Sequence, residues 1–282
     1  MRPQQRRRRL DVADIPLPLS GATRVHFIVG DPIAQVKSPE GVTRAFQARG
    51  LSAACLPAHV PPADLAAWVQ GVSLARNVDG IIVTVPHKFA AARLCASLSE
   101  RAAFLGAVNT MRQRPDGGWH GDMFDGLACV QAMRERGGEP ARRRALLVGA
   151  GGAGTAIAHA LVSAGVAQLA IHDADTARRD ALVERLAALG RCPVTAGTDD
   201  PSGYEVVINA SPAGMRAGDA LPVQVQRLDP GAFVACVITE PAITPLIAAA
   251  RARGLGTSTG NDMFVRVRDL MVEFLVEAPC NT

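Results

Sequence analysis

The 282-residue sequence predicts an α/β protein: two α/β units in series, with a C-terminal helix returning to the first. Three observations predict it. Short apolar or β-branched runs alternate with longer helical segments along the whole chain. One strand–helix junction is the glycine turn Gly149-Ala150-Gly151-Gly152-Ala153-Gly154. The last helical segment, 262–278, is amphipathic and has little sheet left to join, so it is expected to pack back on the first unit.

Taken in order, Arg24 to Val29 alternates as a strand and ends at Gly30. Lys37-Ser38-Pro39 opens a helix, with Ser38 as N-cap and Pro39 in the first turn, reaching Arg49 before Gly50. Leu51 to His59 is a second strand, and Pro61-Pro62-Ala63-Asp64 starts a helix to Ala75. Gly80 to Val85 is a β-branched strand ended by Pro86, and Lys88 begins a helix through Leu98. That succession predicts a parallel sheet. Ala107 to Arg112 and Gly118 to His120 flank the turn signal Arg114-Pro115-Asp116-Gly117, which predicts a hairpin. Asp125-Gly126 leads into a helix ending near Gly137, and Glu139-Pro140 is a linker. Beyond it, strands are expected at 145–149, 168–172, 205–209 and 233–237, and helices at 153–164, 176–189 and 243–253. The division is a disordered basic tail at 1–20, a first unit at 21–125, a second at 126–261, and a returning segment at 262–282.

Charge and composition narrow the function. Five arginines (Arg2, Arg6, Arg7, Arg8, Arg9) against Asp11 and Asp14 carry +3 of the formal +4, so the body is nearly neutral. The arginine run reads as a solvated tail, and no nucleic-acid partner is expected. No apolar segment follows it as in a secretion signal, and no apolar run has the length to span a bilayer, so no membrane partner is expected. The six cysteines (Cys55, Cys95, Cys129, Cys192, Cys236, Cys280) and six histidines are scattered. They predict neither a disulfide frame nor a metal site, and a cytoplasmic location.

The glycine turn carries chemistry. Gly149 allows the tight turn, Gly151 lets a pyrophosphate approach the backbone, and Gly154 lets helix and strand pack closely. The loop backbone, including Ala150, Gly152 and Ala153, then offers N–H groups at the positive end of a helix. The next strand ends in His172-Asp173, where a carboxylate meets an adenosine ribose diol. The second unit is therefore read as a Rossmann dinucleotide-binding domain. Lys88 lies past the C-terminal end of a strand, where α/β sheets hold ligands. Alone, Lys88 reads equally as a helix-start lysine facing water, and Asp125 as a helix cap.

Several separated motifs, in order and spacing, resemble the shikimate/quinate dehydrogenase family across residues 24–278. They are Gly30-Asp31-Pro32-Ile33 with Lys37-Ser38-Pro39; Gly80 to Lys88; Gly106-Ala107-Val108-Asn109-Thr110; Gly121-Asp122 with Asp125-Gly126; the glycine loop; Asn209 to Met215; Pro241 with Thr244-Pro245-Leu246; and Gly260 with Met263. The resemblance implies a substrate domain and an NAD(P) domain facing each other across a cleft. It implies reversible hydride transfer at a ring hydroxyl or ketone of a shikimate- or quinate-like acid, of the shikimate 3-dehydrogenase type, in a monomer or homodimer. It implies Lys88 and Asp125 as the catalytic pair. Substrate contacts fall on Ser38, Thr84 and Asn109, and cofactor contacts on Asn209, Ala210, Ser211, Gly260 and Met263 besides the loop.

The departures are informative. The family's first serine before Lys37 is here Val36, its strand asparagine is Ile82, its tyrosine is Thr239, its aspartate is Cys236, and its C-terminal glutamine falls on Val267. Lys37, His87, Arg266 and Arg268 are the candidate replacements. The expectation is a divergent paralogue with a less polar pocket, using shikimate itself poorly. Two alternatives stay open: a modified, non-shikimate substrate, or a catalytically silent dinucleotide-binding regulator. NADP-using members carry an arginine where Ala174 stands, and Asp173 repels a 2′-phosphate. NAD is therefore the preferred cofactor, with Arg178 or Arg179 as the groups that would admit NADP.

Overall fold

The computed structural model describes residues 19–216 and 218–277. The arginine run and Cys280 lie outside the described residues. The first sheet is built from β1 (Arg24–Gly30), α1 (Ser38–Ala48), β2 (Ala53–His59), α2 (Leu65–Val72), β3 (Val78–Val83), α3 (Lys88–Ala92), β4 (Ser97–Leu98), α4 (Glu100–Leu105), β5 (Thr110–Gln113) and β6 (Trp119–Asp122). Its strand order is β2-β1-β3-β5-β6-β4. The parallel arrangement expected of the first three strands is present in β1, β2 and β3, and the β5–β6 hairpin adds antiparallel to the free edge of β3. That edge is open to the hairpin because the chain returns to it through α3 and α4.

Two boundaries differ, and one helix is added, for local reasons. Lys37, not Ser38, is the N-cap of α1, without a side-chain cap; Ser38 is the first helical residue, followed by Pro39. The helix at Lys88 stops at Ala92, because Ala96 N–H is drawn to Trp119 C=O (2.8 Å) and leads the chain into β4. Helix α4 was not anticipated, although its signals are in the sequence. Ser99 caps it by accepting from Ala102 N–H, and Gly106 ends it in the left-handed region (φ 63).

Helix α5 (Asp125–Glu135) leads to the second sheet. This comprises β7 (Arg144–Val148), α6 (Gly152–Ser163), β8 (Gln168–His172), α7 (Thr176–Ala187), β9 (Val194–Ala196), β10 (Val206–Asn209), β11 (Phe233–Cys236), α8 (Pro245–Ala252) and β12 (Gly256–Ser258). The order β12-β11-β10-β7-β8-β9 is wholly parallel and reverses direction at β7, the switch point of a doubly wound sheet. Helix α9 (Gly260–Val276) starts beside the second sheet and packs along α5, α1, β3 and β5. A capping box between Thr259 and Asp262 starts it.

The period-2 alternation of β3 places the site. Ile81 and Val83 join one core with Val29, Leu65 and Met111. Ile82 faces the other way, beside Ile28, into a core closed by α1 and α9 through Phe46, Met271 and Leu275. Helices α5 and α6 cross with almost no side chain between them: a Cβ on Gly126 would strike the Ala156 carbonyl.

Candidate active site

Four chain segments converge at the C-terminal end of β3. The strand runs on to Thr84, and Lys88 opens α3. Asn109 precedes β5, and Asp125 is the first residue of α5, where the helix's positive end favours a carboxylate. The Lys88 ammonium Nζ lies 2.6 Å from Asp125 Oδ2, with side chains only 20% and 9% exposed. Asn109 Nδ2 donates to Asp125 Oδ1 at 2.7 Å. The Asn109 carbonyl accepts from Phe124 N–H (3.1 Å) and Thr110 Oγ1 (3.2 Å), so the amide is held at both ends.

Around this pair lies a cleft of 290 Å³. The structure brings Ser38, Thr84, Lys88, Asn109, Asp125, Val36, Ile82, Thr239 and Val267 to its walls. Sequence reasoning missed Ile28, Gln35, Phe264 and Met271, which also line it. The signal for two of them was available: Phe264, Val267 and Met271 share one face of α9 at helical spacing. Of the four candidate replacements only Lys37 reaches the cleft. His87 is a correction: it is buried, with Nε2 on the Val60 carbonyl (2.8 Å). Arg266 and Arg268 are also corrected, since their guanidinium groups are engaged by Glu135 and Asp269. A larger hollow of 490 Å³ near the start of β1 holds none of the candidate residues, and its arginines Arg24, Arg112 and Arg114 are paired with Asp79, Glu277 and Asp116.

The glycine loop follows β7 on the second sheet. Gly149 has φ 105, and a Cβ there would lie 2.7 Å from the Ala210 carbonyl carbon, so the loop abuts the Ala210–Ser211 backbone. A Cβ on Gly154 would strike the Gly149 carbonyl, whereas nothing lies within 4 Å of one built on Gly151 or Gly152. Space on the outer side, and an α6 N-terminus without a side-chain cap, fit a pyrophosphate. Ala150 N–H is not free for it, because it donates to Asp173 Oδ2 at 2.6 Å.

Asp173 Oδ1 accepts from Asp175 N–H (2.8 Å) and from Arg178 (2.7 Å). Burial alone would raise its pKa, but Arg178 and the two backbone N–H groups outweigh burial and hold it below the usual carboxylate range. Asp175 caps α7 through Arg178 N–H, and Arg179 pairs with Asp180. Asn209 is buried, with Nδ2 on Ala213 C=O and Oδ1 accepting from Ser211, so it shapes the loop beside the glycine turn. Met263 packs against the second core, and Gly260 is needed because a Cβ would strike the Ile238 carbonyl. Among the described residues no group of three metal-ligating side chains comes together, and no helix is long and apolar enough to cross a membrane.

A doubly wound sheet with an open glycine turn, joined to a unit whose cleft holds a largely buried lysine–carboxylate pair, is the arrangement of an NAD(P)-dependent oxidoreductase of two α/β units. Comparison with known proteins narrows the class. The chain is 38% identical over 252 residues to the shikimate dehydrogenase (NADP(+)) of Rubrobacter xylanophilus, covering 88% of each chain. Residues 28–111 match the shikimate dehydrogenase substrate binding domain. The chain belongs to the shikimate dehydrogenase family. Among solved structures it is similar to Listeria monocytogenes shikimate 5-dehydrogenase in complex with shikimate and NAD (TM-score 0.86, 26% identity, 93% of this chain and 94% of that one). It is similar to quinate dehydrogenase from Corynebacterium glutamicum in complex with NAD (TM-score 0.83, 27% identity, 91% and 95%). It is equally similar to 5-ketofructose reductase of Gluconobacter (TM-score 0.85, 27% identity, 91% and 94%).

Proposed function

We propose that this protein interconverts a ring hydroxyl and ketone of a cyclic hydroxy acid of the shikimate or quinate kind, with Lys88 and Asp125 handling the proton. The observation that carries this reading is the 2.6 Å Lys88–Asp125 pair, mostly withdrawn from water at the wall of the cleft. In the oxidising direction a hydroxyl O–H proton must leave as hydride departs from the same carbon. Lys88, having released its own proton to solvent, receives the substrate proton as an amine, and the Asp125 carboxylate balances the ammonium that results. Asn109 fixes the carboxylate edge that faces Lys88. Ser38 and Thr84 supply hydroxyls for the rest of the substrate. A bound NAD(P) would supply the hydride acceptor; Gly149 to Gly154 and Asp173 would hold it, beside Ala210 and Ser211.

We read the cofactor as NAD. Asp173 stands at the end of β8, no arginine occupies position 174, and the carboxylate, already accepting three hydrogen bonds, retains one acceptor site for a ribose hydroxyl. The relative from Rubrobacter is named for NADP(+), and Arg178 on Asp173 is the feature that favours that cofactor. Comparing kcat/KM with the two cofactors decides it: a strong NADP preference rejects the NAD reading. The first unit, 21–125, is read as the substrate domain, 126–261 as the dinucleotide domain, and 262–282 as the returning segment.

The test of the catalytic pair is Lys88→Ala. Turnover is expected to fall by about 10²- to 10⁴-fold while NAD binding is kept. A native protein inert on a broad panel of cyclic hydroxy acids would favour a dinucleotide-binding regulator instead. A second reading, a modified substrate on the same chemistry, is favoured by the apolar residues Val36, Ile82 and Val267 in the cleft and by the likeness to a 5-ketofructose reductase.

A further inference from the structure

The cleft floor is the upper surface of a hydrophobic core, with no polar layer between. Ile82 on β3 sits in register with Ile28 on β1, and they are 1% and 2% exposed. Both belong to the apolar cluster that Met271 of α9 closes, and Val36 and Val267 pack against its margin. The polar lining is Lys88, Asp125, Asn109 and Thr84 around the reacting pair, Thr239 from the second unit, Gln35, and Lys37 and Ser38 at the start of α1. Of the four candidate replacements, Lys37 alone lines the cleft. His87 is held by a backbone carbonyl inside the fold, and Arg266 and Arg268 are held by carboxylates.

A ring hydroxyl pressed on such a floor gives up its hydrogen bonds to water and regains none. A ring edge bearing only C–H groups gains apolar burial there. Resting on the oxidoreductase reading above, we infer that the site takes a cyclic hydroxy acid whose ring presents an unhydroxylated edge to Val36, Ile82 and Val267. The reacting hydroxyl faces Lys88 and Asp125 on the opposite side. A hydroxyl on the floor-facing edge lowers kcat/KM by about 10- to 100-fold.

The experiment compares shikimate with its singly deoxygenated ring analogues, by NAD-linked turnover and by calorimetric binding to the NAD-loaded protein. At least one analogue is expected to exceed shikimate by about tenfold or more in both measures. Ile82→Asn, which offers a partner to a hydroxyl, should shrink or reverse that preference. Val267→Gln, at the less buried margin, repeats the test if Ile82→Asn fails to fold. Preferential binding of an analogue without turnover keeps this inference and rejects the catalytic reading. Turnover with shikimate equal to or above every analogue overturns the inference and keeps that reading. Neither binding nor turnover of any member overturns both.

Discussion

The amide of Asn109 has one orientation open to it. Phe124 N–H and the Thr110 hydroxyl both donate to its oxygen, which leaves Nδ2 to face Asp125. Asn109→Ala is expected to free the carboxylate to rotate and to lower kcat by about 10- to 100-fold, with the Kd for NAD unchanged by titration. Arg178 is a second case, an exposed guanidinium lying on a buried carboxylate. Arg178→Ala should lower kcat/KM with NADP by about tenfold or more and leave that with NAD within about threefold. Buried His26, stacked on Phe46 with Nδ1 lacking a partner, governs a stability effect. Burial lowers its pKa to about 4 from the ordinary 6.5, with Asp79 opposing and Arg24 adding to the shift. The folded-state pKa is depressed, so this contribution is complete above pH 6.5 and is lost as pH falls toward 4. Urea unfolding should show about 3 kcal/mol lost to this group across that window, and His26→Phe should remove that part of the slope. Lys88, Asp125 and Asp173 were legible in the sequence because each stands where a strand ends or a helix begins. The placement of His87 and Arg178 was not, since His87 turning to Val60 and Arg178 turning to Asp173 depend on contacts that the sequence pattern does not carry.

At the scale of elements, the parallel second sheet was legible from its strand–helix alternation, and the hairpin from its turn residues. The antiparallel docking of that hairpin on β3 was not, because local pattern identifies a strand without choosing its neighbour. Gly126 is an element-scale residue. Its missing side chain sets the approach of α5 to α6, and a Cβ would meet main-chain atoms, which have little room to yield. Gly126→Ala is expected to destabilise the fold by at least about 1–3 kcal/mol, measured by thermal or denaturant unfolding, while a control at open Gly71 costs little.

On the scale of the whole molecule, two helices tie the sheets together. Helix α5 packs on α6, while α9 begins at the second core with Met263 and ends in the first with Leu275. Arg185 of α7 adds a strap, donating to the Phe104 carbonyl and lying 5.2 Å from its ring. Melting followed by calorimetry should therefore give one transition, and two resolved transitions would reject this coupling. Saturating NAD at about 100 times its Kd should raise stability by about 2.7 kcal/mol.

The bare crossing of α5 on α6 has a mechanical consequence. Two helices that touch backbone to backbone can turn about the contact but cannot part there without opening a void. It is a fulcrum, one residue from Asp125 and one helical turn from the glycine loop at Gly152. Displacement in a rocking body grows with distance from its fulcrum. The Asp125 carboxylate and the start of α6 lie next to that fulcrum, where alignment is least disturbed.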